Sequence, residues 1–195
     1  MRFPPISLSL PDWLDEFLSR NEDPLVDNEK RMALAVELSR SNLENGTGGP
    51  FGAAIFESGS GRLVAAGVNL VEAQDCSIAH AEMVAIAFAQ KTLATYDLGA
   101  TGLPDHELVT STEPCAMCLG AIPWSGVRHV VCGARDEDAR AIGFDEGHKP
   151  SGWADLLEKQ GITVVRDVLR ESARQVLLDY ARRGGVIYNP DRRDE

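Results

Sequence analysis

Two short stretches of the chain combine residue types that can hold a metal and move a proton: His80-Ala81-Glu82 and Glu113-Pro114-Cys115-Ala116-Met117-Cys118. One imidazole and two thiolates occupy three corners of a tetrahedral zinc and leave the fourth for water, whose pKa such a metal lowers to about 7. Cys115 and Cys118 are three residues apart, so on a helix both sulfurs face the same way. Pro114 suits the first helical turn, where its missing N–H is not needed. The positive end of that helix favours thiolate over thiol. Glu82 lies two residues beyond His80 and is not required as a ligand. It is free to take a proton from water and hand it to a ring nitrogen.

Plainer readings of the same residues compete. A Cys-x-x-Cys pair is also found as a redox couple or as half of a structural zinc site. A structural site needs a fourth ligand, and Cys76 and Cys132 are the candidates. Cys132 falls in an apolar stretch and reads as a core thiol. A carboxylate two places after a ligand has no purpose in a structural site. The joint pattern, His-x-Glu followed by Pro-Cys-x-x-Cys, therefore points to a catalytic zinc. His106, His129 and His148 have no comparable partners and read as structural or surface residues.

The elements that must position these groups follow from periodicity. Residues 27–45 read as an amphipathic helix, with Met32, Ala35, Val36 and Leu43 on one face. The Gly/Pro-rich loop 45–50 follows. Then 51–56 and 63–68 read as strands of an antiparallel hairpin turned by Ser58-Gly59-Ser60-Gly61. Residues 79–95 form a helix, with His80 in its first turn and Ala81, Val84, Ala85 and Phe88 facing inward. Further strands are expected at 107–111, 127–132 and 162–165, and helices at 114–124, 153–160 and 171–183. Strands alternating with helices imply a parallel portion of the sheet. The expected fold is a single α/β domain over 1–195, a three-layer αβα sandwich with a mixed five-stranded sheet. Residues 1–26 read as an N-terminal extension.

With 195 residues, 44% hydrophobic and 25% charged, the composition is that of one globular domain. No apolar run approaches the roughly 20 residues of a membrane helix. The first residues lack the charged-then-apolar layout of a secretory signal, so a cytoplasmic location is expected. Thirty acidic residues against 19 basic give a net charge of −11, which opposes a grip on nucleic acid or on anionic membranes. The arginines at 182, 183, 192 and 193 read as balancing the negative end of the last helix and neighbouring acids. An uncharged small substrate suits the net charge.

Taken together, the two zinc motifs, Gly49-Pro50-Phe51-Gly52-Ala53-Ala54, Ala66-Gly67-Val68-Asn69 and Ile142-Gly143-Phe144-Asp145-Glu146-Gly147 resemble the cytidine deaminase superfamily. Within it the chain is most similar to the small zinc-dependent guanine deaminases, over about residues 50–189. The zinc motifs are shared across deaminases of several substrates, and the Gly-Phe-Asp-Glu segment tilts the resemblance to guanine. The resemblance implies one Zn²⁺ per chain on His80, Cys115 and Cys118. It also implies Glu82 and Glu146 as proton carriers and Asn69 as a hydrogen-bonding partner of the purine edge. Phe51 and Trp124 would wall the base, and the Ala81 backbone N–H would donate to the substrate. A homodimer is implied in the same way.

The expected reaction is hydrolytic deamination of guanine to xanthine and ammonia. Deaminases of tRNA adenosine, or of cytosine and cytidine, remain rivals, as does a noncatalytic zinc-stabilised binding module. Val186-Ile187-Tyr188 is costly to leave in water, and the resemblance to small guanine deaminases implies that the segment 184–195 covers the pocket near Trp124 and Glu146 as a lid.

Overall fold

The computed structural model describes residues 3, 6–20 and 23–189. Five strands form one mixed sheet in the order β2-β1-β3-β4-β5. They are β1 Gly52–Glu57, β2 Leu63–Val68, β3 His106–Thr112, β4 His129–Ala134 and β5 Thr163–Val165. β1 runs antiparallel to both β2 and β3, whereas β3, β4 and β5 are parallel. The start of β1 and the ends of β2, β3 and β4 therefore share one rim of the sheet.

Alternation along the strands divides the core in two. Ala54, Phe56, Val109 and Val131 point to one face and pack with residues of α2 (Asn28–Glu44) and α7 (Arg170–Arg182). Ala53, Ile55, Leu108 and Val130 point to the other, against α3 (Ala81–Thr92), α4 (Ala116–Ser125) and α6 (Trp153–Glu158). The expected three-layer sandwich is present. Asp27 caps α2 by accepting the Lys30 N–H at 2.7 Å, which explains why the helix begins there. Two helices were not anticipated: α1 (Trp13–Ser19) and α5 (Asp136–Ala141). α1 buries Leu14, and Trp13 Nε1 donates to Thr47 Oγ1 at 3.0 Å, so this part of the N-terminal segment packs on the main core.

The starts of the two motif helices differ from expectation. His80 is the N-cap of α3 and Cys115 the N-cap of α4, both in extended backbone, and Pro114 precedes its helix rather than opening it. A ligand at the cap rather than within the turn projects beyond the helix end. β4 also begins two residues later than its apolar run. Val127 is buried in the approach to the strand, before the pairing of His129 with Glu107 begins.

Candidate active site

The cap residues of α3 and α4 meet at the rim where β2 and β3 end. His80 Nδ1 lies 3.5 Å from Cys115 Sγ and 3.7 Å from Cys118 Sγ. A tetrahedral ion with usual Zn–N and Zn–S lengths would separate its N and S ligands by about 3.6 Å. The residues thus fit zinc without rearrangement. Among the described residues they form the one group of three His, Cys or carboxylate side chains able to converge on a metal. Cys132 is fully buried in β4 and Cys76 packs against the core, so neither closes the shell.

The local electrostatics suit such a site. Cys115 is drawn down to about 4, first by a hydrogen bond with Cys118 and then by His80, against the effect of burial. Its partner Cys118 is pushed up by the same hydrogen bond and by burial. Burial alone would lower His80, but Cys115 and the charge of Glu82 raise it. Burial also raises Glu82, helped by the Cys115 thiolate. Glu146 is pushed up to about 8, again by burial first and then by Cys115, with Lys149 opposing. Two buried carboxyls with a preference for their protons therefore flank one cluster of metal ligands.

A cavity of about 460 Å³ opens onto these groups and is lined by His80, Glu82, Cys115, Asn69, Phe51 and Glu146. Asn69 is 1% exposed, and its backbone is fixed on both sides. Its N–H donates to Phe51 O at 3.1 Å, and its carbonyl accepts from Asn42 Nδ2 at 2.9 Å. Its side-chain Oδ1 accepts the Val71 N–H at 3.3 Å, while the buried Nδ2 has no hydrogen-bond partner in the protein. A buried donor without a partner is costly, and one on a cavity wall is a place for a ligand acceptor. Phe51 meets Phe144 edge-on at 5.0 Å, and Phe144 contacts Tyr188 at 5.1 Å, giving an aromatic wall.

One of the expected site residues stands elsewhere. Trp124 is 86% exposed on the outer side of α4 and does not line the cavity of its own chain. Pocket-facing and outward-facing aromatics near a helix end look alike in sequence, and the turn from Ile122 to Ser125 sets Trp124 outward. Ala81 sits between His80 and Glu82 with its methyl in the core, leaving only its backbone near the site. Further wall residues are Phe144 and two residues of the C-terminal segment expected to form the lid. Phe144 lies inside the Gly-Phe-Asp-Glu segment, and Tyr188 and Asn189 come from the C-terminal segment. Tyr188 and Asn189 are held there by hydrogen bonds: Tyr180 Oη donates to Val186 O at 2.7 Å, and Asn189 bridges Gly143 O and the Asp145 N–H, both at 2.9 Å. Pro190 and the arginines at 192 and 193 lie outside the described residues.

Comparison with known proteins agrees with this geometry. The family model for the cytidine and deoxycytidylate deaminase zinc-binding region matches residues 25–134, which include all three metal-site residues and Glu82. The chain belongs to this deaminase family. It is 40% identical to the guanine deaminase of Bacillus subtilis over 121 residues, covering 62% of this chain and 73% of that protein. It superimposes on the guanine deaminase from Nitrosomonas europaea with a TM-score of 0.86 and 49% identity, covering 91% of this chain and 97% of the other. A structure of NE0047 in complex with 2,6-diaminopurine aligns with a TM-score of 0.85 and 49% identity, over 94% of this deaminase and 96% of that chain. No helix among the described residues of this deaminase is long and apolar enough to cross a membrane.

Proposed function

We propose that this chain hydrolyses guanine to xanthine and ammonia, using one zinc ion held by His80, Cys115 and Cys118. The observation that carries the reading is that one cavity joins the three ligands, two buried carboxyls and the unpartnered amide of Asn69. The similarity to guanine deaminases along most of the chain supports the choice of base. Zinc bound there would supply an acidified water at neutral pH.

Glu82, 6% exposed and beside the ligands, takes the proton of the attacking water and passes it to the ring nitrogen. The exocyclic amine must also gain a proton to leave as ammonia. Glu146, whose carboxyl burial raises to about 8, delivers it and recovers a proton from the hydroxyl added to the ring carbon as that hydroxyl becomes the carbonyl. Asn69 Nδ2 donates to an acceptor on the purine edge and the Ala81 N–H to the substrate carbonyl. Phe51 and Phe144 cover the ring. Tyr188 and Asn189 complete the wall, so the segment from residue 184 serves as a lid that keeps bulk water from the reacting amine.

Trp124 belongs to a different surface in this reading. α4 carries no charged residue and presents Pro123 and Trp124 to solvent. This face pairs two copies of the chain in a homodimer. Free thiol ligands suit a reducing compartment, in keeping with a cytoplasmic enzyme of purine catabolism. The test is ammonia release by zinc-replete protein offered guanine, adenine, cytosine, their nucleosides and an anticodon stem-loop. Guanine should be turned over fastest. Preference for the stem-loop or for cytidine would overturn the choice of substrate, and release from none of them would favour a binding module.

A further inference from the structure

The loop carrying Glu146 reaches the metal-ligand helix through a second contact that the proposed chemistry has not used. Lys149, three residues beyond Glu146, has a side chain only 6% exposed. Its ammonium donates to Pro114 O at 2.9 Å and pairs with Asp136 Oδ1 at 2.6 Å. It also lies 5.9 Å from the ring centre of the buried Trp153. Arg166 sits 5.5 Å from the same ring and donates to Glu113 Oε1 at 2.7 Å. Two cations on one indole thus grip residues 113 and 114, the chain leading into Cys115.

Two further hydrogen bonds hold the loop by its backbone carbonyls. Ala116 N–H donates to Glu146 O at 2.9 Å, and Arg140 donates to Gly147 O at 2.6 Å. Asp136 accepts Lys149 on one oxygen and Arg140 on the other, so both cations that hold the 146–149 loop converge on a single carboxylate. A surface loop would not need a buried lysine to fix it. A loop that must present one carboxyl at a set distance from a substrate amine does, because proton transfer fails when the donor drifts by an ångström.

We propose that Lys149 is a positioning residue: by spanning Pro114 O and Asp136 it fixes the Glu146 carboxyl relative to the metal-ligand helix. The inference rests on the guanine reading above. Lys149 has no place on the cavity wall, so its effect on the reaction is indirect, through the loop that it ties to residue 114.

The test uses full-length, zinc-loaded protein and the variants Lys149→Met and Lys149→Arg. Lys149→Met leaves Asp136 paired with Arg140, so no buried charge is stranded and the fold should persist. Its kcat for guanine should fall about 10–100-fold, the usual cost of losing a group that orients a site residue. Zinc stoichiometry and the Kd for 8-azaguanine should stay at wild-type values. Lys149→Arg keeps a cation over Trp153 and should recover most of the rate. Asp136→Asn, which weakens the same bridge from its other end, should also lower kcat with zinc and analogue binding retained. Wild-type turnover with an undiminished rate in Lys149→Met or Asp136→Asn overturns the inference alone. Loss of zinc or of 8-azaguanine binding along with activity also overturns it, because the bridge then serves the ligands or the fold. Wild-type protein that releases no ammonia from guanine overturns the function and this inference together.

Discussion

A Cβ placed on Gly67 would stand 2.3 Å from the carbonyl oxygen of Ala81, so the first turn of α3 rests directly on the backbone of β2. The same atom would lie 2.5 Å from Ala85 N. Backbone cannot swing aside as a side chain can. Gly67→Ala must therefore lift the end of α3 that carries His80 and Glu82. We expect a stability loss of about 1–3 kcal/mol, as for other overpacked sites. A thermal melt with zinc titration should show a lowered Tm and weaker metal retention. A variant with wild-type Tm and zinc content would mean that the contact does not seat the ligand.

Glu82→Gln keeps the size of the side chain and removes its basic oxygen. Zinc should remain at one per chain by elemental analysis, while kcat falls by about 10²-fold or more. Loss of metal together with activity would show that Glu82 supports the ligands rather than the proton transfer.

Glu146 gives a dependence on pH whose sign follows from its environment. Burial and the nearby Cys115 thiolate raise its carboxyl to about 8, with Lys149 opposing. It is then an acid through neutral pH and loses its proton as pH rises past that value. As a proton donor to the leaving amine it should work on the acidic side, so kcat for guanine should decline above about pH 8. Glu146→Gln should lower kcat by about 10²-fold and abolish this alkaline limb. Near-wild-type turnover in that variant would assign both transfers to Glu82.

The C-terminal segment makes a separate prediction. Tyr188 and Asn189 line the cavity, and Asn189 holds both sides of Phe144 through Gly143 and Asp145. Truncation after Arg183 should raise KM or lower kcat for guanine while zinc content stays unchanged. Asn189→Ala should produce a smaller change in the same direction. Unchanged kinetics in the truncated protein would leave this segment without a part in turnover.

The sequence exposes some of this arrangement and hides the rest, for reasons visible in particular residues. The helix α2 is legible because seventeen residues of regular spacing follow a capping aspartate. The three ligands are legible because their types are rare and their spacing is dictated by one ion. α5 is hidden because four of its six residues, Asp136–Ala141, are charged and leave no apolar period to read. The cap positions of His80 and Cys115 are hidden because apolar periodicity does not mark where backbone turns from extended to helical. That Trp124 faces away from the cavity of its own chain is hidden because an aromatic carries no label of direction, and the packing of Ile122 decides which way its neighbours look. Lys149 had no signal at all: a lysine in a polar loop reads as solvated until Pro114, Asp136 and Trp153 are seen to surround it.

The mixed sheet sends the start of β1 and the ends of β2, β3 and β4 to one rim, and every residue assigned to the chemistry gathers there. The opposite rim, made of the turns at 58–61, 93–105, 126–128 and 160–162, is chemically idle. Thr101 and Gly102 are exposed on it, and nothing lies within 4 Å of a Cβ placed on Gly102. A fluorophore, an immobilisation handle or a whole guest domain spliced between those two residues would hang on the far side of the molecule from the reacting base. The fold thus offers an engineer an attachment port separated from the catalyst by the full length of its strands.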